Sequence, residues 1–337
     1  MSLIQKWGEY YLVNKGRSPG TVTKYSQNLN RLGVFLATKE RAITHATQDD
    51  LIEFTGAHCW HVLKLNSAAR KPVIAAVKAF YEWAFEFGYT LSDPGKKLEY
   101  PKLPRRIPTA LGLQNLERIM AQPDLSTFIG LRDLAILSTL AGTGLRISGV
   151  VSLNVESFVQ YQDTAGTNRL AVRVIEKGDK ERILPIPMEL QLILTAYLNH
   201  PYLQEVDRTT HDGQNVLWIS TANRTVPVWE YTGEARRLGS RSIDELIKTY
   251  GEEAGIPPDQ LHAHAFRHLF GTELAEDDVD DTNRADFLGH SSVDTVRVYT
   301  HMAMRKKTSL IDQANPLGKI HTAVTGMLGK APARISQ

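Results

Sequence analysis

The sequence predicts a mainly α-helical protein with one small antiparallel β-sheet, an α+β fold. Apolar residues recur at helical intervals in the first 95 residues and again after residue 109. Three short β-like runs, at about 156–162, 169–176 and 181–186, follow one another and are joined by glycine-containing turns. A proline-containing stretch at 96–108 cannot continue a helix, so we expect it to link two domains.

The N-terminal region, residues 1–95, is predicted to be a small all-α domain. Ser18 can cap a helix that has Pro19 at its first position, and a later helix is predicted at about 67–87. Cys59 is the only cysteine, and we expect it to be a small buried apolar residue. A single thiol forms no internal disulfide, which is typical of a protein in a reducing cytoplasm.

The second region is predicted to contain more helices around the three strands. A further strand is predicted at 216–220, and a short amphipathic segment at 316–328. The helices are predicted near 113–121, 131–141, 187–199, 241–254, 262–276, 282–288 and 292–300.

Charge is unevenly distributed along the chain. Residues 1–108 contain 16 Lys and Arg against 9 Asp and Glu, whereas residues 109–337 contain 23 against 28. A basic N-terminal part can be drawn to a polyanion, but charge alone leaves an ordinary solvated basic face equally open. No apolar run approaches the length that spans a bilayer, and the N-terminus lacks a secretory pattern. We therefore expect a cytoplasmic protein without a membrane partner.

The first segment that suggests chemistry is Ala-Gly-Thr-Gly-Leu-Arg-Ile-Ser at 141–148. Its glycines break one helix and the next begins at once, which predicts Arg146 in a first helical turn, where a guanidinium favours an anion. A structural role for Arg146 is equally consistent with this segment alone. No third glycine follows and no strand precedes it, which excludes a dinucleotide-binding fingerprint.

Two further segments carry basic groups. Residues 176–182 form a predicted hairpin turn that holds Lys177 at its tip, although most charged tips are merely solvated. His264 and Arg267 are three residues apart on a predicted helix, so they share a face and can both donate to phosphate oxygens. The neighbouring histidines, His262 and His268, are predicted to be capping or packing residues.

Neither a metal nor another cofactor is expected. The histidines near residue 264 suggest a metal site, but no carboxylate lies at ligand spacing and Arg267 would repel a cation.

The last segment that suggests chemistry is Leu-Gly-His at 288–290, followed nine residues after His290 by Tyr299. One tyrosine among twelve carries little weight by itself.

Taken together, these segments resemble the tyrosine recombinase (phage integrase and Xer-like) family. The family has an Arg after a Thr-Gly-Leu turn, a Lys in a Lys-Gly-x-Lys hairpin, His-x-x-Arg, Leu-Gly-His and then a Tyr nine residues on. The N-terminal region also resembles the family's core-binding domain, through Ser-Pro-Gly-Thr at 18–21 and Phe-Tyr at 80–81. The catalytic positions are filled, in this order, by Arg146, Lys177, His264, Arg267, His290 and Tyr299.

The resemblance implies a site-specific DNA recombinase that forms a covalent 3′-phosphotyrosyl link without metal or ATP. Tyr299 would be the nucleophile, His264 would take its proton, and Lys177 would protonate the leaving 5′ oxygen. The positive groups that would stabilise the transition state are Arg146, Arg267 and His290.

The resemblance also implies a C-shaped clamp around duplex DNA. Its parts would be a core-binding domain at 1–95, a basic linker at 96–108, a catalytic domain at 109–315 and a tail at 316–337 that protomers can exchange. The residues expected to contact DNA are Lys96, Lys97, Lys102, Arg105, Arg106, Arg70 and Lys71.

The expected partners are double-stranded DNA with inverted-repeat core sites, three further copies of the chain in a tetramer on two duplexes, and accessory proteins. The expected location is the cytoplasm, at the nucleoid. Because recombinases of this family act on DNA sites of many sequences, the motifs leave the target site open.

One position departs from the family pattern. The family usually has Glu or Asp three residues after the first Arg, where this chain has Gly149. The departure leaves the positioning of Arg146 and Lys177 open. Three alternatives therefore remain at this point, namely a DNA-binding regulator that has lost turnover, a metal-dependent nuclease that uses the histidines, and a topoisomerase that relaxes supercoils.

Overall fold

The structure is a computed structural model that describes residues 1–103, 111–163, 165–176, 180–223, 226–289 and 300–321. The contacts divide the chain into two units, Met1–Ile107 and Pro108–Gln337. Each unit has its own cluster of buried apolar side chains. The predicted fold class, mainly helical with one small antiparallel sheet, is confirmed.

The first unit is helical in its described part. Ser18 caps the second helix through its side chain, and Pro19 occupies the first turn, as predicted. Trp7 and Phe80 are fully buried at its centre, and Cys59 is a buried free thiol. The helices are α1 Leu3–Val13, α2 Pro19–Ala37, α3 Gln48–Glu53 and α4 Ser67–Glu86, with a π-helical segment at Phe54–Val62.

The predicted linker begins as part of this first unit. Lys78 on α4 donates from Nζ to the carbonyl oxygens of Lys96 and Leu98, at 2.9 Å each. The Leu98 side chain is buried in the core of the unit. The first residues of the predicted linker, 96–98, therefore lie against α4, held there by an apolar side chain and a lysine. Arg105 and Arg106 lie outside the described residues.

The second unit surrounds its sheet with helices. Nearly all of α6 is buried, so this helix forms the centre of the unit. The α-helices of the second unit are α5 Leu113–Met120, α6 Phe128–Thr143, α7 Ile147–Val151, α8 Met188–Leu198, α9 Tyr202–Glu205, α10 Ser240–Glu253, α11 Ala263–Glu276, α12 Asp281–Leu288 and α13 Thr300–Ala314.

The sheet has three antiparallel strands in the order β1–β2–β3. They run at Phe158–Gln162, Asn168–Glu176 and Lys180–Pro185, close to the three predicted runs. Glu176 pairs with Lys180 at the end of the β2–β3 hairpin. The connection that contains Lys177 therefore joins two paired strands, as the sequence predicts.

The predicted strand at 216–220 is not formed. Val216 and Ile219 make only single bridges, to Asn154 and Arg237. The apolar side chains of 216–219 are fully buried, but their backbone bonds go to separate segments, so no ladder forms. The predicted helix at 292–300 lies outside the described residues except for Thr300, where α13 begins.

The first part of the predicted exchangeable tail packs in the core of its own unit. Leu317 and Ile320 are each 1 % exposed, and Leu317 lies against α6 at Gly142. Val324, Met327 and Leu328 lie outside the described residues.

Gly144 ends α6 in the left-handed conformation, with φ at 58°. A Cβ atom there would lie 2.4 Å from Cδ1 of Phe270, which is fully buried. We expect Gly144→Ala to lower the free energy of unfolding by about 3 kcal/mol, because it adds overpacking to left-handed strain. Thermal unfolding should show a melting temperature lower by roughly 6–12 °C.

Gly166 provides the matched control for this substitution. It also has a positive φ, 78°, but no described atom lies within 4 Å of its added Cβ. Gly166→Ala should therefore show only the strain of a left-handed alanine, about 1 kcal/mol. If both substitutions lower the free energy of unfolding by the same amount, the Phe270 side chain moves aside without an energetic cost.

Candidate active site

Arg146 lies at the turn between α6 and α7. Gly144 ends α6, and Arg146 is the N-cap residue of α7, in an extended conformation with φ −67° and ψ 148°. The prediction that Arg146 occupies the first helical turn is therefore wrong by one residue. Its side chain is exposed, so the guanidinium is accessible from solvent at the N-terminal end of α7.

Arg267 joins this turn to two other elements. It lies on α11 and is 6 % exposed. Its Nη1 donates to the carbonyl oxygen of Gly144 at 2.6 Å, and its Nη2 donates to the carbonyl oxygen of Leu288 at the end of α12. One buried guanidinium therefore connects the Arg146 turn with the backbone two residues before His290.

His264 lies one turn before Arg267 on α11, on the exposed side. Its ring is 4.3 Å from that of His268, nearly perpendicular to it, and 6.5 Å from that of His262. His262 is the N-cap of α11 and accepts from the backbone N–H of Ala265 at 3.0 Å. His262 therefore caps α11, one of the two roles predicted for it, whereas His268 is exposed and its ring lies against that of His264.

The surroundings of His264 lower its pKa from the ordinary value. Partial burial contributes most, followed by the repulsion of His268, Arg267, His262 and Arg146. Both candidate catalytic arginines are therefore close enough to oppose a charge on His264. Because an ordinary histidine has a pKa of about 6.5, His264 is mainly neutral at pH 7 and can accept a proton.

A cleft of about 680 Å³ opens beside these side chains. His264, Arg267 and His268 line one part of it, and Arg284 and Leu288 of α12 line another.

Within the described ranges, no group of three His, Cys, Asp or Glu side chains is placed to hold a metal ion. In the same ranges, no helix is long and apolar enough to cross a membrane.

Three predicted catalytic residues, Lys177, His290 and Tyr299, lie outside the described residues. Gly289 caps α12 in a left-handed conformation directly before His290, and α13 begins directly after Tyr299.

Two family models match this chain. The model of the phage integrase family matches residues 110–306, and that of the phage integrase N-terminal SAM-like domain matches residues 4–87. The first match alone covers more than half of the chain. The chain belongs to the phage integrase family of tyrosine recombinases.

Curated relatives of this recombinase match over nearly its whole length. Tyrosine recombinase XerD of Haemophilus influenzae is 29% identical over 318 residues, which cover 94% of this chain and 99% of the relative. Tyrosine recombinase XerC of Chlamydia pneumoniae is 27% identical over 333 residues, covering 93% and 98%. The family resemblance seen in the motifs is thus confirmed, and the chain is a site-specific tyrosine recombinase that acts on DNA.

Solved structures share the fold. XerH site-specific recombinase bound to difH substrate matches with a TM-score of 0.59 and 18% identity, over 83% of this chain and 75% of that one. A lambda integrase dimer bound to a COC′ core site matches with a TM-score of 0.59 and 14% identity, over 87% and 98%. A lambda integrase tetramer bound to a Holliday junction matches with a TM-score of 0.58 and 13% identity, over 88% and 79%.

Arg182 is a site component that the sequence analysis did not single out. From β3, its Nη1 donates to the carbonyl oxygens of Asp286 and Phe287, at 3.0 and 2.6 Å. It therefore ties the hairpin that contains Lys177 to the end of α12 that precedes His290. Its place directly after Lys180-Glu181 on an alternating strand marks it only as a charged strand residue, so the sequence carried no usable signal.

Gly149 occupies the third helical position of α7. The residue is buried, yet no described atom lies within 4 Å of a Cβ added there, so a side chain can be built without a clash at Cβ. An acidic residue at this position of a helix can accept from the backbone N–H of the N-cap residue, here Arg146. Within the described part of the chain, the N-cap residue of α7 makes no side-chain capping hydrogen bond.

We expect Gly149→Glu to stabilise the recombinase. Replacing glycine in a helix contributes about 1 kcal/mol, and a carboxylate in the first turn adds about 0.3–1 kcal/mol. Thermal unfolding should show a melting temperature higher by roughly 3–8 °C. The matched control is Gly149→Gln, which gains helix propensity without the charge, and equal stability of the two variants would show that the carboxylate does not act on α7.

Proposed function

We propose that this recombinase cleaves one DNA strand by attack of the Tyr299 phenol oxygen on a backbone phosphorus atom. A bond forms between phosphorus and the tyrosine oxygen, and the bond from phosphorus to the 5′ oxygen breaks. The products are a 3′-phosphotyrosyl link and a free 5′ hydroxyl. Attack by the 5′ hydroxyl of a second strand reverses the step and joins the strands. Because the link conserves the bond energy, rejoining requires no ATP, and no metal ion takes part in the proposed step.

The observation that carries this proposal is the convergence of Arg146, His264 and Arg267. The turn before α7 and one face of α11 bring them together, and Arg267 binds the Gly144 carbonyl directly. Negative charge grows on the non-bridging oxygens as the nucleophile attacks, and fixed cationic donors stabilise it. In this proposal Arg146 and Arg267 bind those oxygens together with His290.

Two proton transfers complete the step. The phenol of tyrosine has an ordinary pKa of about 10, so a base must take its proton. The lowered pKa of His264 suits it to that role at neutral pH. Lys177 then supplies the proton that the leaving 5′ oxygen needs.

The DNA contacts are proposed on the basic surface of the first unit and the linker. Lys96, Lys97 and Lys102 are exposed and therefore available to phosphates. Lys71 is half-buried at the start of α4, and the neighbouring Arg70 already donates from Nε to the Thr55 carbonyl oxygen at 2.8 Å. The clamp and the contacts of Arg105 and Arg106 are part of the same proposal. Affinity carried by phosphate contacts should fall steeply with salt.

The proposed assembly is a tetramer on two duplexes with inverted-repeat core sites, in the cytoplasm at the nucleoid. The lambda integrase tetramer on a Holliday junction supports it, because both proteins share a fold. Chain exchange would use the tail beyond His321, since Leu317 and Ile320 are buried in their own unit. Accessory proteins would set the direction of the reaction.

The experiment begins with a duplex selected from a randomised library by binding to the recombinase. A nick placed near the cleavage site releases a short 5′ fragment and traps the covalent link. The expected result is a protein–DNA adduct in EDTA without ATP, and strand exchange between two such sites. Mass spectrometry of the adduct identifies the attached residue.

Three results would contradict the proposal. Tight binding without an adduct would indicate a DNA-binding regulator. Cleavage that EDTA abolishes would indicate a metal-dependent nuclease. An adduct accompanied by relaxation of supercoils, but by no exchange between two sites, would indicate a topoisomerase.

A further inference from the structure

The C-terminal end of α7 is held by a second arginine, Arg237. A helix of five residues forms few hydrogen bonds of its own, and its last carbonyl groups need partners from elsewhere. Arg237 Nη1 donates to the carbonyl oxygens of Val151 and Leu153, at 3.0 Å each. Trp218, which is fully buried, donates from Nε1 to the carbonyl oxygen of Val150 at 2.9 Å. A guanidinium at this end also suits the negative pole of the helix.

Arg237 is itself firmly held. Its Nε and Nη2 donate to the two carboxylate oxygens of Glu234, at 2.7 and 2.9 Å, and Nη2 also donates to Oδ1 of Asn154 at 2.7 Å. Its side chain is 13 % exposed. A guanidinium has five N–H donors, and these five bonds engage all of them. Arg237 therefore has no donor left for a DNA phosphate, and it can act only through the backbone that it binds.

That backbone leads directly to Arg146. The two ends of α7 are about 7–8 Å apart at 1.5 Å per residue, so a rotation set at Val151 is transmitted to the N-cap. Among the described residues, the N-cap residue makes no side-chain capping hydrogen bond at the N-terminal end, and Gly149 brings no carboxylate to it. The orientation of α7 is set by Arg237 at its C-terminal end, by the bond from Arg267 to the Gly144 carbonyl before its N-cap, and by its packing on α6, α10 and β2.

We propose that Arg237 is a positioning residue for Arg146, and that it compensates for the missing carboxylate at Gly149. The proposal rests on the proposed function, in which Arg146 binds the phosphate that Tyr299 attacks. In this chain the segment Glu234–Arg237 holds α7 at its C-terminal end. The family pattern instead has an acidic residue within the helix, at the position of Gly149.

The test measures three quantities for each variant, namely the rate of adduct formation on the nicked duplex at saturating protein, the Kd for that duplex, and the melting temperature. Arg237→Gln should lower the saturating rate about 10- to 100-fold, because a displacement of about 1 Å can cost about 100-fold. Its Kd should stay within about twofold, because Arg237 does not contact DNA.

Arg208→Gln is the matched control. Arg208 also donates from a guanidinium to a backbone carbonyl oxygen in this unit, that of Val216 at 3.2 Å, but it does not bind α7. Its loss should lower the melting temperature and leave the saturating rate unchanged. If Arg237→Gln behaves like Arg208→Gln, the proposal is overturned and Arg237 has a structural role alone.

Glu234→Gln keeps the test decisive if Arg237→Gln does not fold. Glu234 is 65 % exposed, so its loss leaves the guanidinium in place and removes only the charge that orients it. The expected loss of saturating rate is about two- to fivefold, as for weak ion pairs. An unchanged rate would overturn the proposal.

Coupling to Arg146 distinguishes positioning from a general effect on the enzyme. In an Arg146→Lys background, adding Arg237→Gln should lower the saturating rate of adduct formation by less than about twofold. Both changes impair the same contact, that of residue 146 with the phosphate. If the loss of saturating rate in the double variant equals the product of the losses in the two single variants, the proposal is overturned while the proposed function stays intact. No adduct with the wild-type chain would instead overturn the proposed function, and with it this inference.

Discussion

Tyr299→Phe is expected to abolish the protein–DNA adduct. The change removes one oxygen atom and keeps the ring, so folding and DNA affinity should remain near those of the wild-type recombinase. Without the oxygen no phosphotyrosyl link can form, and the loss of adduct should be on the order of 10⁴-fold or more, as for other enzymes that lose their nucleophile. Denaturing electrophoresis of the nicked duplex measures this loss.

Tyr202→Phe is the control for Tyr299→Phe. Tyr202 is a half-buried tyrosine of the second unit whose ring packs on Phe128 at 4.5 Å between centroids. Removing its hydroxyl should leave the rate of adduct formation unchanged. Persistence of the adduct in Tyr299→Phe would show that another residue is the nucleophile, and mass spectrometry of the adduct would locate that residue.

Arg267→Gln is expected to have the next largest effect, on both catalysis and stability. The substitution leaves the carbonyl groups of Gly144 and Leu288 without their donor. Each buried group left unsatisfied costs about 1–3 kcal/mol, so the loss of both bonds should lower the free energy of unfolding by about 2–6 kcal/mol. The loss of a fixed donor to the transition state should lower the cleavage rate by about 10²–10³-fold.

The two effects of Arg267→Gln can be separated by temperature. Cleavage is measured well below the melting temperature of the variant, where its folded fraction is close to one. Arg284→Gln is the control, because Arg284 lines the same cleft but pairs with the exposed Asp281. It should keep a saturating rate near that of the wild-type chain. A wild-type rate in folded Arg267→Gln would rule out a catalytic role for Arg267.

Local sequence was sufficient for several parts of this fold. Ser18-Pro19 specifies a helix start because a hydroxyl cap and a fixed φ act within one turn. The antiparallel pairing of β2 with β3 follows from the alternation of residues on both sides of Gly178-Asp179 in the sequence. The strand prediction at 216–220 was wrong because an apolar run specifies burial but not a ladder partner.

In the candidate site, too, some features follow from local sequence and others depend on contacts between distant segments. Sequence alone determined the family, the kinds of group at the site and their order along the chain, because the motifs require particular residue types at short spacings. Only the tertiary structure decided that Arg267 binds the Gly144 carbonyl, 123 residues away, and that Arg237 binds that of Val151, 86 residues away. The physical reason is that any backbone carbonyl can accept from an arginine, so the sequence around it carries no mark of the donor that folding brings to it.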